Sequence, residues 1–153
     1  MSIIKHGNNA LSNVTAFPSA VPTGKPVLLS TATASSSASI EFTSGIDSTY
    51  DVYKFEFINI HPSNDIVQFQ FNMSSDNGSN YNVTKTTTYF RTYHAEADND
   101  NILEYTSVLD LAQSTAFQTL SGANVGNASD ESCSGSLTLF NPASTVFVKH
   151  FIS

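Results

Sequence analysis

The sequence predicts an all-β protein: an antiparallel β-sandwich of jelly-roll type with an extended N-terminal arm and at most one short helix. Three observations lead there. From Ile66 to Met73 the run IVQFQFNM alternates strictly, placing Val67, Phe69, Phe71 and Met73 on one face and Gln68, Gln70 and Asn72 on the other, the period-two signature of a half-buried strand. Asp76-Asn77-Gly78 follows within a few residues, a turn signal built from the residue types that adopt positive φ most cheaply. Ser, Thr and Asn supply 53 of the 153 residues, a composition that suits β faces and turns better than helices.

A chain of this length forms one ordinary domain without disulfides or a structural metal. The expected division is an extended arm over residues 1–26, which carries Pro18, Pro22 and Pro26 with no sustained period, followed by a sandwich over 27–153. An arm of that kind either grips a neighbouring subunit or frays as a terminus. VLLS at 27–30 is a possible strand start, STATASSSAS at 30–39 is low-complexity, and IEFT at 40–43 alternates briefly before a turn at SGIDST.

Tyr50 to Ile60 carries Val52, Ile58 and Ile60 on one parity and Tyr53, Phe55 and Phe57 on the other. Both faces are apolar, so this strand is expected to be covered on both sides, inside the sandwich or at a subunit contact. HPSND at 61–65 ends it. Beyond the Asp76-Asn77-Gly78 turn, VTKTTTYFRTYHA (83–95) reads as one long, bent strand, EADNDN (96–101) as a polar loop, and ILEYTSVLDL (102–111) as renewed strand. Residues 110–120 are the one place a short helix is credible, from Leu111, Ala112, Thr115 and Ala116. Residues 121–135 read as loop, and 136–140 with 144–153 as a second hairpin around Asn141-Pro142-Ala143, with the last strand running to the final residue.

Charge argues against nucleic acid as a partner: the net charge is −7, and the six Lys and Arg are scattered rather than clustered. No apolar run reaches the length of a membrane span and the start MSIIKHGNNALSN lacks a signal-peptide core, so synthesis in a cytosol without membrane insertion is expected. Cys133 is the single cysteine, a free buried thiol in this reading. The five N-x-Ser/Thr sequons, at Asn13, Asn72, Asn77, Asn82 and Asn127, are what a chain rich in these residues produces by chance.

No enzyme is indicated, and no cofactor. His6, His61, His94 and His150 stand in no nucleophile-elbow or H-E-x-x-H context, and GANVGNAS lacks the lysine and helix of a phosphate loop. Asp98 and Asp100, with Glu96 nearby, offer oxygen ligands of the type calcium takes, but without the glycine and distal glutamate of an EF-hand; they are weak metal candidates beside the reading as a solvated acidic loop. Tyr50, Tyr53, Tyr81, Tyr89, Tyr93 and Tyr105 suit either sugar stacking, as in jelly-roll lectins, or core edges and subunit interfaces.

The runs SSSASIEFTSGIDSTYDVYKFEFINIHP (35–62), FNMSSDNGSNYNVTKTTT (71–88), YHAEAD (93–98), DLAQSTAFQ (110–118) and LFNPASTVFVKHF (139–151) resemble those of a family of bacteriophage virion proteins found in marine and cyanobacterial phages. The start MSIIKHGNNALS is similar as well. The likeness spans the chain from about residue 35 onward and carries no catalytic motif. It implies a structural virion component, resident in the particle after synthesis in the host cytoplasm. A capsid-decoration, tail or fibre protein acting by assembly, and alternatively an adhesin binding host-surface glycan, both fit the residues. The expected partners are further copies, a trimer foremost, and other virion proteins. The expected contact is the Tyr53, Phe55, Phe57 face together with the arm.

Overall fold

The structure is a computed structural model that describes residues 24–122 and 124–153. It divides into two units, Met1–Thr33 and Ala34–Ser153. Most of the expected arm, residues 1–23, lies outside the described residues; 24–33 form no regular element, so the strand start suggested at 27–30 is absent.

The second unit is antiparallel β throughout. Its strands are β1 (Val52–Ile60), β2 (Gln70–Phe71), β3 (Phe90–His94), β4 (Asn101–Tyr105), β5 (Gln118–Thr119), β6 (Cys133–Phe140) and β7 (His150–Ile152). They form a three-stranded sheet in the order β1-β6-β7 and two-stranded pairs β2-β5 and β3-β4. The one helical turn among the described residues is 3-10, at Ser107–Leu109.

The three-stranded sheet holds the core. Tyr53, Leu137 and Leu139 are 4%, 6% and 7% exposed, and Phe55, Phe57, Phe71, Met73, Leu120 and Phe151 pack against them. The register places Tyr53 opposite Leu139, Phe55 opposite Leu137 and Phe57 opposite Gly135, so alternate residues of two long strands deliver one apolar face. At Gly135 that face has no side chain of its own, and the Phe57 ring fills the gap: a Cβ there would lie 2.8 Å from its Cε2. The register slips between Phe57 and Ile60, where Asn59 adopts φ 53° and its N–H donates to Ser134 Oγ at 2.9 Å. Asn tolerates that left-handed geometry better than most residues. The bulge moves Ile60 to half-buried while Val52 and Ile58 stay exposed.

A second, irregular layer lies on this face through ring contacts, Phe57 with Phe69 and Phe71 with Phe151, both at 5.0 Å between centroids. It is tied by the Val67–Val125 and Lys85–Ser114 bridges and by the short β2-β5 ladder. Val67, Phe69, Phe71 and Met73 are half-buried and Gln68 and Gln70 exposed, as the alternation predicts, but Asn72, expected on the polar face, is half-buried as well. The strand expected over 66–73 is regular only at Gln70–Phe71, with Ile66 at φ 58°. The Asp76-Asn77-Gly78 turn forms with φ 57° at Asn77 and 86° at Gly78, closed by Ser79 N–H donating to the Asp76 carbonyl at 3.3 Å.

Three expectations are corrected. The helix considered over 110–120 does not form, because its backbone bonds sideways: Leu111 N–H donates to Thr87 Oγ1 and Gln113 N–H to Thr86 Oγ1, and Ser114 exchanges both backbone bonds with Lys85. The long strand over 83–95 is regular only from Phe90 to His94. In the last hairpin β6 begins within the expected loop, at Cys133, and the final strand pairs only over His150–Ile152, leaving 144–149 as loop in which Ser144 Oγ accepts from the N–H groups of Val146 and Phe147.

Candidate functional site

The aromatic face expected to meet a neighbouring subunit is used within the chain. Tyr53 is buried, with Phe55 and Phe57 half-buried against the same cluster, and its hydroxyl both donates to the Asp47 carbonyl at 2.8 Å and accepts from the Asp47 N–H at 3.0 Å. Phe42 stacks edge-on against Phe55 at 5.6 Å. The strand's other face is the open one: Val52 and Ile58 are exposed around an exposed Lys54–Glu56 ion pair at 2.8 Å.

The β3-β4 ribbon is the second notable surface. Its register pairs Phe90 with Tyr105, Arg91 with Glu104, Thr92 with Leu103, Tyr93 with Ile102 and His94 with Asn101, which splits the side chains into two faces. On one, Arg91 Nε donates to Glu104 Oε1 at 2.5 Å and the Arg91 guanidinium lies 5.6 Å from the centre of the Tyr93 ring. On the other, Phe90 and Tyr105 stack at 5.2 Å, and Phe90, Leu103 and Tyr105 are exposed.

Asp98 and Asp100 sit in the loop closing this ribbon, but their carboxylates engage different partners. Asp98 Oδ1 lies 3.0 Å from His94 Nε2, whereas Asp100 Oδ2 accepts from the Tyr93 hydroxyl at 2.8 Å, a bond that raises the Tyr93 pKa. Among the described residues no group of three or more His, Cys, Asp or Glu side chains comes together as a metal site would require. His6 lies outside the described residues, and the other histidines are equally dispersed: His61 Nδ1 meets the Glu131 carbonyl at 2.6 Å, and His150 pairs with Phe140 in the sheet. Burial pushes the Cys133 thiol pKa up, which disfavours the thiolate that nucleophilic chemistry needs.

A polar seam inside the second layer escaped the sequence reading. Lys85 is buried, and Nζ donates to Asn72 Oδ1 at 2.5 Å and to the Val83 carbonyl at 2.9 Å. Gln118 and Thr119 are buried beside it: the Thr87 hydroxyl donates to Gln118 Oε1 at 2.5 Å, and the Thr119 hydroxyl to Gln68 Oε1 at 3.0 Å. No buried side-chain polar atom among the described residues lacks a partner, so the seam reads as a satisfied structural network. Sequence alternation put Lys85 on the same parity as Val83 and Thr87, the only hint of its burial.

Two hollows remain. One, of about 480 Å3, is a shallow concavity on the ribbon beside Tyr93 and Leu103. The other, of about 230 Å3, is walled by Phe57, Phe69 and Leu120 with Cys133 at its edge. Neither gathers an acid, a base and a nucleophile. No helix among the described residues is long and apolar enough to cross a membrane. Comparison with protein-family models, curated proteins and solved structures found no match.

Proposed function

We propose that this chain is a non-enzymatic structural component of a phage virion, a capsid-decoration, tail or fibre subunit made in the host cytoplasm that works by assembly with its own copies and with other virion proteins. The observation that carries the reading is an imbalance in burial. Among the described residues the buried apolar side chains are Tyr53, Val125, Leu137 and Leu139, and no side chain is under 2% exposed, while Ile58, Leu103, Val108, Val146, Phe147 and Val148 all stand in solvent. Single exposed aliphatic residues are ordinary; a thin core beside this much exposed apolar surface is the composition of a subunit whose remaining burial comes from neighbours.

In this reading 67–73, 83–87 and 111–125 form the second sheet of a jelly-roll sandwich, and three copies meet in the assembled form. Sedimentation equilibrium tests the assembly: a mass of three times 16.5 kDa is expected, and a folded monomer persisting at high micromolar concentration would overturn it. Mass spectrometry of purified phage particles tests the virion assignment, which fails if the chain is absent from them.

Glycan binding is a second reading, favoured by one observation. Tyr93 and Tyr105 stand exposed with hydroxyls donating to Asp100 and Asp110, and an aromatic ring beside a carboxylate suits sugar C–H faces and hydroxyls together. Glycan-array binding that disappears in both Tyr93→Ala and Tyr105→Ala would favour it over pure assembly.

A further inference from the structure

We infer that the Phe90, Thr92, Leu103, Tyr105 face of the β3-β4 ribbon is the surface through which one copy of this chain packs against another. The inference rests on the assembly reading above and names where the contact lies.

The ribbon is an unfinished sheet. Among the described residues β3 and β4 pair with each other and with no other strand, and an isolated two-stranded ribbon is marginal in water unless its apolar face is covered. That face is open: Phe90 is 68% exposed, Leu103 81% and Tyr105 51%. Its residues nevertheless hold a set arrangement, with the two rings stacked and the Tyr105 hydroxyl donating to Asp110.

Charge selects a second copy as the occupant. Identical chains of net charge −7 repel, so they meet most readily where neither presents charge. Phe90, Thr92, Asn101, Leu103 and Tyr105 include no ionised group, the charges beside them are already partnered, Asp98 with His94 at the ribbon end and Asp110 with the Tyr105 hydroxyl, and the charged pair Arg91–Glu104 belongs to the opposite face. Two other exposed apolar surfaces do carry charge: Lys54 and Glu56 lie between Val52 and Ile58, and Lys149 follows Val148. With about 200 Å2 for a large aromatic side chain and somewhat less for leucine, Phe90, Leu103 and Tyr105 at these exposures offer roughly 350 Å2. That approaches the apolar share, a little over half, of a contact of about 800 Å2 per partner.

The test is Leu103→Glu, which places a carboxylate in the contact of both copies, with Ile58→Glu on β1 as the control. The expected result is a wild-type and an Ile58→Glu protein of the same oligomeric mass, and a Leu103→Glu protein of 16.5 kDa with an unchanged circular-dichroism spectrum. A folded Leu103→Glu protein of wild-type mass overturns the proposal and leaves the assembly reading standing, whereas a monomeric wild type overturns both. Should Leu103→Glu unfold, Thr92→Cys in a Cys133→Ser background replaces it: a bismaleimide spanning about 10 Å, the spacing of packed sheets, is expected to link copies, and failure to do so at concentrations where the protein is oligomeric overturns the proposal.

Discussion

Replacing Leu139 by alanine tests the core assignment most directly. Leu139 is 7% exposed in the central strand of the three-stranded sheet, opposite Tyr53 on β1 and Phe151 on β7. The substitution removes three carbons, which at about 0.8 kcal/mol per buried methylene costs roughly 2.4 kcal/mol before any cavity forms. The cavity adds to this, but Phe55 and Phe151 are only half-buried and can lean in, so the total belongs in the lower part of the range for such changes, about 2.5–3.5 kcal/mol. Urea unfolding followed by far-UV circular dichroism reads it as a shift in midpoint at unchanged slope. Wild type and variant must be compared at one protomer concentration, because association would stabilise the folded state. Ile58→Ala is the control: Ile58 is in the neighbouring strand but 72% exposed, and its truncation should cost under about 1 kcal/mol. Equal losses at the two positions, or a loss under about 1 kcal/mol at Leu139, would refute the assignment of the inner face.

Three further outcomes are expected. Gly135→Ala sets a Cβ 2.8 Å from Phe57 Cε2 and should destabilise by about 1–3 kcal/mol; combined with Phe57→Leu the loss should be less than additive, and strict additivity in the double-mutant cycle would mean the ring does not cover the glycine. Ser74 and then Asn80 hydrogen bonds hold the Asp76 carboxyl down from 3.8 to about 2. A folded-state pKa below the unfolded one gives stability that is present above about pH 4 and lost as pH falls toward 2; Asp76→Asn should therefore flatten the acid limb of a stability-against-pH curve, and parallel limbs count against the turn network. Burial lowers the Lys85 pKa from 10.5, so below that pH the unfolded chain binds more protons and stability rises with pH through the depressed value toward 10.5. Subtracting the Lys85→Met curve from the wild-type curve isolates this rise from the alkaline titration of the tyrosines, and a flat difference contradicts the buried position.

The features legible in the sequence were those set by a strand's own alternation and by turn chemistry. The inward parity of Val67, Phe69, Phe71 and Met73 and the Asp76-Asn77-Gly78 turn emerged as read because parity and positive-φ preference are local properties, whereas regular pairing, which needs a partner strand, is confined to Gln70–Phe71. What stayed hidden depends on partners distant in the chain. Thr115, Phe117 and Thr119 are indifferent helix formers, and the choice against helix over 110–120 was made by Thr86, Thr87 and Lys85, which take its backbone groups. Gly135 read as loop because a glycine in a strand is a poor residue until a ring such as Phe57 from the opposite strand lies over it. The burial of Lys85 was not legible because its partners, Asn72 Oδ1 and the Val83 carbonyl, form a site only after the turn at 76–78 has folded back.

The same distinction relocates the argument for assembly. Two apolar parities in Tyr50 to Ile60 called for cover on both sides, and the chain itself supplies one cover, with Leu137, Leu139 and Phe71 packed around Tyr53, Phe55 and Phe57. The bulge at Asn59 then turns Ile60 to half-buried, so of the outer parity only Val52 and Ile58 remain open, with Lys54 and Glu56 paired between them. A face broken by an exposed ion pair is a poor nucleus for association, since the charges must be desolvated before the methyl groups meet. On the ribbon the charged groups near that face, the His94–Asp98 pair at its end and the Asp110 carboxylate on the Tyr105 hydroxyl, do not fall between the neighbouring pairs Phe90–Tyr105 and Thr92–Leu103, and covering Phe90, Leu103 and Tyr105 both buries apolar surface and gives a two-stranded element the packing it lacks. In the proposed assembly the driving force for subunit contact thus moves from the strand that organises the core to the strand pair that no part of the described chain completes.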